Sequence, residues 1–231
     1  MCRWCVTCPA GGGPYAPVIF VDAQAITIRR FYDPLLPDRA ARNRNLLVAS
    51  AAGRSGVFRV RATHGDLFSG DARLADARTF TRLAQEEIPC LLAGDWNGVP
   101  SGPLWDDTAI NQPGLWDQPW KRAHRIHWRH GPAQGGPYEP DTRALDYLIG
   151  YWHDRQRAGG IGFFDAAELA ADPTPTQTPA PDGRLRRTID RILINKPWAA
   201  AIVPGSYQVH QPADPAHPDS DHLRVSVAVQ T

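Results

Sequence analysis

The run CLLAG at residues 90–94 follows Pro89 directly and stops at a polar cluster, Asp95-Trp96-Asn97-Gly98. A short continuous apolar run of this kind suits a strand covered on both faces, which in turn requires a layer of structure above and below it. The segment before it, residues 71–87, reads as a helix, because Leu74, Ala77, Phe80, Leu83, Ala84 and Ile88 recur at three- and four-residue steps. Asp71 stands where an N-cap or first-turn carboxylate is favoured, and Pro89 ends the helix. Helix followed by hidden strand points to a layered α/β architecture.

Other elements agree. Residues 17–28 read as two short strands around Asp22-Ala23-Gln24, and residues 45–50 and 57–63 as a hairpin across a Gly-Arg-Ser-Gly turn. Helices are expected near residues 142–155 and 165–170, a Pro/Thr loop over 172–183, and an apolar strand over 189–195. In the last strand Leu223, Val225, Val227 and Val229 alternate with Arg224, Ser226 and Ala228. No internal repeat or domain linker interrupts this order, so one compact, strand-rich domain is expected.

Composition removes several classes. No apolar run approaches the roughly 18 residues that span a bilayer, and the first residues hold no apolar core of a secretion signal. With 25 basic and 24 acidic residues the net charge is +1, so a nucleic acid would be gripped locally rather than by a field over the whole surface. Of the basic residues only Lys121 and Lys196 are lysines, a bias that suits bidentate phosphate contacts and equally reflects codon usage. Cys2, Cys5 and Cys8 have metal-ligand spacing without a fourth ligand nearby, and Cys90 lies inside an apolar run.

Four polar clusters sit at strand ends. Asp95 and Asn97, two residues apart, point the same way in extended geometry and can hold a water or a phosphate oxygen; they equally suit a turn. Asp190 interrupts the apolar run TIDRILIN and must be paired if buried. Ser220-Asp221-His222 precedes the final strand, where an Asp and a His can supply a metal ligand and a general acid or base. His64 closes the strand over 57–63. The segment 121–130, KRAHRIHWRH, interleaves four cations and three histidines with Trp128, a pattern that grips phosphates and stacks bases or head groups when it is more than a solvated face.

In this order the strings THGDLFSGD, LLAGDWNG, RTIDRILIN and SDHLRVSV resemble the endonuclease/exonuclease/phosphatase superfamily, over about residue 17 to the C-terminus. The resemblance implies an α/β (α+β) four-layer αββα sandwich and a divalent-metal-dependent phosphoester hydrolase, a nuclease, phosphodiesterase or phosphatase using Mg²⁺ (or Mn²⁺). By the same resemblance Asp95 orients and activates the attacking water, Asn97 holds a phosphate oxygen, and His222 is general base or transition-state stabiliser. Asp190 would fix the tautomer of His222, Asp221 and Asp95 would lie at the metal, and His64 would contact the phosphate and protonate the leaving oxygen. Arg125 and Trp128 are expected to bind substrate, a nucleic acid, a phosphoinositide or a phospholipid head group, by a monomer.

The sequence departs from the pattern at its start, where family members carry an Asn-bearing strand and a Gln-Glu pair whose Glu is the principal metal ligand. The domain at 17–231 is therefore expected to be N-terminally truncated, and residues 1–16 to be an unstructured or artefactual leader. The alternative function is a catalytically impaired remnant acting as a binding module. The compartment is undetermined: cytoplasmic as written, secreted if a signal preceded this start.

Overall fold

A computed structural model describes residues 4–6, 17–32, 45–85, 87–105, 139–178, 187–215 and 218–230. Its centre is a six-stranded sheet built from β3 (Ile26–Tyr32), β4 (Leu46–Ala51), β5 (Phe58–His64), β6 (Cys90–Asp95), β9 (Phe163–Asp165) and β10 (Asp190–Asn195), in the order β3-β4-β5-β6-β10-β9. Among the described residues only β5 and β6 run parallel. Their crossover carries the helices α1 (Gly70–Arg78) and α2 (Thr81–Gln85), as a parallel pair requires. The remaining neighbours are antiparallel.

Side chains alternate across this sheet and face two different layers. Leu46, Cys90, Leu92 and Leu193 meet α1, α2 and α3 (Arg143–Ile149), through Ala77, Phe80, Leu83, Leu145 and Leu148. The opposite face meets two small ribbons. Val21 of β2 (Phe20–Asp22), which pairs with β1 (Trp4–Val6), lies on Leu47 and Ala49. Val209 of β11 (Gln208–His210) and Val225 of β12 (Arg224–Ser226) join Leu91, Ala93, Ile192 and Ile194. Both faces of β6 are thus covered, as its apolar run demands. Three residues of the stretch expected to be a leader, Trp4–Val6, form β1.

The hairpin β4–β5 and the strand β10 lie where the sequence pattern puts them. The expected 71–87 helix is instead two. At the break Thr79 and Thr81 donate their hydroxyls to the carbonyls of Asp76 and Arg78, competing with the helix ladder, and Phe80 turns inward to meet Trp96 edge-on at 6.0 Å. Ser69, rather than Asp71, caps α1 by accepting from the Ala72 N–H, with Asp71 in the first turn. The helix expected over 142–155 stops at Gly150 and gives way to a hairpin of β7 (Tyr151–His153) and β8 (Gln156–Ala158). Asp154 and Arg155 both take positive φ at its turn, a geometry usually signalled by Asn or Gly. The last strand is also shorter than its alternation suggests, with Val229 in an isolated bridge to Ile202. Among the described residues no helix is long and apolar enough to cross a membrane.

Candidate active site

Strand alternation places the side chain of His64 with those of Val60 and Ala62, Asp95 with Leu91 and Ala93, and Asp190 with Ile192 and Ile194. All three therefore project from the face that carries the ribbons. Register then brings them level: His64 is the partner of Asp95 across β5–β6, and Asp190 is the partner of Asp95 across β6–β10. One row across three adjacent strand ends reads His64, Asp95, Asp190.

The fourth member arrives from the segment before β12. His222 turns Nδ1 toward Asp190, 3.0 and 2.9 Å from its two carboxylate oxygens, and Nε2 toward Asp95, 3.9 Å from Oδ2. His64 Nε2 lies 3.8 Å from the same Asp95 oxygen. A carboxylate facing Nδ1 requires a proton there, so the tautomer of His222 is set and Nε2 faces the row. Asn97 follows in a left-handed turn, φ 48°, which Asn tolerates better than most residues. Its N–H donates to Asp95 Oδ1 at 2.7 Å, and its amide donates to the Gly65 carbonyl at 2.9 Å, tying the ends of β5 and β6 together. Gly94 makes this possible. Its φ is +147°, and a Cβ there would lie 1.8 Å from the Thr63 carbonyl oxygen.

Electrostatics follow from these neighbours. The Asp95 carboxyl is held above the usual carboxylate range, first by burial and then by the like charge of Asp190; the Asn97 N–H and the two histidines pull against that rise. His222 is pushed up from 6.5 to about 9, chiefly by its hydrogen bond to Asp190, with burial opposing. The ring is thus held toward its imidazolium form, with Asp190 on its Nδ1 side and Asp95 on its Nε2 side.

Asp221 is placed differently from these four. Its side chain is 89% exposed, with an oxygen 4.0 Å from His222 Nε2. Arg125 and Trp128, with the rest of the 121–130 segment, lie outside the described residues, as do Cys2 and Cys8. Among the described residues no group of three or more His, Cys, Asp or Glu is arranged to hold a metal ion. Asp95 offers one oxygen beyond its bond to Asn97, and Asp221 points largely to solvent. That donor set makes no all-protein cage; a Mg²⁺ or Mn²⁺ held by Asp95 and Asp221 would draw its remaining oxygen ligands from water and substrate.

No sequence-family model and no curated protein matches the chain. Solved structures do match. A humanized D. rerio TDP2 superposes at TM-score 0.56 with 13% identity, over 99% of this chain and 77% of that one. The 3′ phosphatase NExo from Neisseria, bound to a product DNA hairpin, gives 0.55 and 17%, over 99% and 80%. The endonuclease domain of the telomere-specific non-LTR retrotransposon TRAS1 gives 0.52 and 12%, over 100% and 82%. This chain has the endonuclease/exonuclease/phosphatase fold. Identities this low carry the fold alone, so the roles of residues in this version of it rest on the local geometry.

Sequence reasoning missed the residues that hold His222 in place. Residues 172–178 read as loop from their Pro and Thr content, yet Gln177 bridges to His222 and the Thr178 N–H donates to the Asp221 carbonyl at 2.9 Å. Nothing in the local pattern announces that role, because the partners are distant in sequence.

Proposed function

We propose that the chain is a phosphoester hydrolase in which water attacks phosphorus at the end of the central sheet. The observation that carries this reading is the row His64, Asp95, Asp190 with His222 closing over it. Phosphoryl transfer asks mainly for positioning and neutralisation of charge. Asp95, buried and held above the usual carboxylate range, is suited to orient the water and accept its proton as the oxygen bonds to phosphorus. His222, already cationic and fixed by Asp190, stabilises the negative charge on the phosphoryl oxygens rather than serving as base. His64, on the other side of Asp95, donates a proton to the leaving oxygen as its bond to phosphorus breaks, and the amide of Asn97 holds a non-reacting oxygen. The products are an alcohol and a phosphate ester or free phosphate.

The substrate class proposed is a phosphate ester of a nucleic acid, on the fold shared with a phosphatase bound to a DNA hairpin and with TDP2. Phosphoinositide and phospholipid head groups remain arms of the same assay. A Mg²⁺ or Mn²⁺ requirement is proposed from the superfamily resemblance, without a step assigned to the cation. The test is hydrolysis of bis-p-nitrophenyl phosphate, p-nitrophenyl phosphate, a labelled oligonucleotide, a phosphoinositide and a phospholipid head group, each with Mg²⁺, with Mn²⁺ and with chelator. Asp95→Asn and His222→Gln are each expected to lower kcat by about 10²-fold or more. Changes under about threefold in folded variants would remove the assignment. A second reading, a phosphate-binding module without turnover, is motivated by the absence of a group of three or more metal-ligating side chains among the described residues, and tight binding of a phosphodiester by an inert wild type would establish it.

A further inference from the structure

Asp190 opens β10 and His222 precedes β12, so the contact between them depends on something that holds both chain segments at once. The structure places a buried residue, Thr176, between them. Thr176 is fully buried, and its hydroxyl oxygen accepts from the N–H of Ile189 at 3.1 Å and from that of Asp190 at 3.0 Å. The same hydroxyl directs its proton to the Arg187 carbonyl at 3.4 Å. On its other side the Thr176 carbonyl accepts from the Leu223 N–H at 2.6 Å, next to His222, while its own N–H returns to the Arg187 carbonyl at 3.0 Å. Gln177 then forms the bridge to His222 itself. The backbone on both sides of the Asp190–His222 bond is thus fastened to one threonine.

We propose that Thr176 is a positioning residue whose hydroxyl sets the Asp190 carboxylate against Nδ1 of His222. Without that oxygen a buried N–H, that of Ile189, and the part-buried N–H of Asp190 lose their acceptor and must shift to find another. The segment that carries Asp190 then moves relative to the segment that carries His222, and the Nδ1 bond lengthens. The role of the pair in catalysis rests on the hydrolase reading above; the bracing of the pair does not.

Two variants separate bracing from mere stability. Thr176→Val keeps the shape and removes the oxygen, whereas Thr176→Ser keeps the oxygen. The first readout is the tautomer of neutral His222, taken from long-range ¹⁵N shifts on the alkaline side of its titration. Wild type and Thr176→Ser are expected to hold the proton on Nδ1, and Thr176→Val to lose that preference. The second is turnover of bis-p-nitrophenyl phosphate, where Thr176→Val should lower kcat about tenfold or more with KM within about twofold, and Thr176→Ser should recover kcat to within about threefold. A folded Thr176→Val with the tautomer and kcat of wild type would overturn the proposal. Should that variant not fold, amide exchange in the wild type decides. The Asp190 and Leu223 amides, both bonded to Thr176, are expected to exchange within about threefold of each other after correction for intrinsic rates, and independent opening more than tenfold apart would refute the brace. A wild type that holds the Nδ1 tautomer but turns over no phosphoester would support the brace and remove the hydrolase reading.

Discussion

Asp190→Asn isolates the electrostatic part of the site. The amide has the carboxylate's shape and can still accept a hydrogen bond from Nδ1 of His222, so the fold is expected to persist while the negative charge goes. In the wild type that carboxylate is the largest cause of the rise of His222 from 6.5 to about 9. The gap corresponds to about 3 kcal/mol of preference for the charged ring, and roughly half of that survives solvent screening for a side chain 31% exposed. The sign follows from the direction of the rise. The ring's contribution to stability is fully present below about pH 6.5 and is lost as pH climbs through about 9. In Asp190→Asn burial opposes the charged ring while Asp95 and Asp221 still favour it, so the titration midpoint of His222 should fall from about 9 toward 6.5, followed by ¹H–¹⁵N spectra of labelled histidine. The same substitution relieves the repulsion between Asp190 and Asp95, so the loss in unfolding free energy will be smaller than the change in midpoint alone suggests. A midpoint still near 9 in the folded variant would refute the argument that Asp190 holds the proton on His222.

Three further outcomes follow from the surrounding structure. Gly94→Ala, with φ +147° and a Cβ 1.8 Å from the Thr63 oxygen, should destabilise the chain by about 3 kcal/mol or more, and a thermal midpoint within a few degrees of wild type would contradict the strand geometry. Asp165→Asn keeps the cap that accepts from the Ala167 N–H but strands the wholly buried guanidinium of Arg191, which lies 4.1 Å over Trp105; a loss of about 3–5 kcal/mol in urea unfolding is expected, and less than about 1 would rule out a buried ion pair. Cys90 is buried and its thiol is pushed up to about 12, so peptide mapping after thiol labelling should find it unmodified in the native protein and modified after unfolding.

Much of the site was legible because its residues break the rules of their surroundings. A carboxylate in TIDRILIN and a polar cluster behind CLLAG are conspicuous once the strands are drawn. What stayed hidden was register, since alternation reveals which face a side chain takes but not which residue stands opposite it. The pairing of His64 with Asp95 and of Asp95 with Asp190 depends on where β5 and β10 align with β6. Thr176 was invisible for a similar reason, as its hydroxyl serves backbone groups at 189 and 190 while its neighbours are prolines that read as loop. The helix expected through 155 was overridden beyond Gly150 by the hairpin at 151–158, whose turn of Asp154 and Arg155 carries little intrinsic signal for it.

The level row at the sheet's end draws on positions 64, 95 and 190, and it needs a parallel pairing as well as an antiparallel one. Both pairings close long stretches of chain, which makes them slow to form and leaves no fragment ending before residue 190 able to complete the constellation. The assembled row in this polypeptide should therefore emerge all at once at the end of folding, and on gentle denaturation it should disappear in step with the innermost strands.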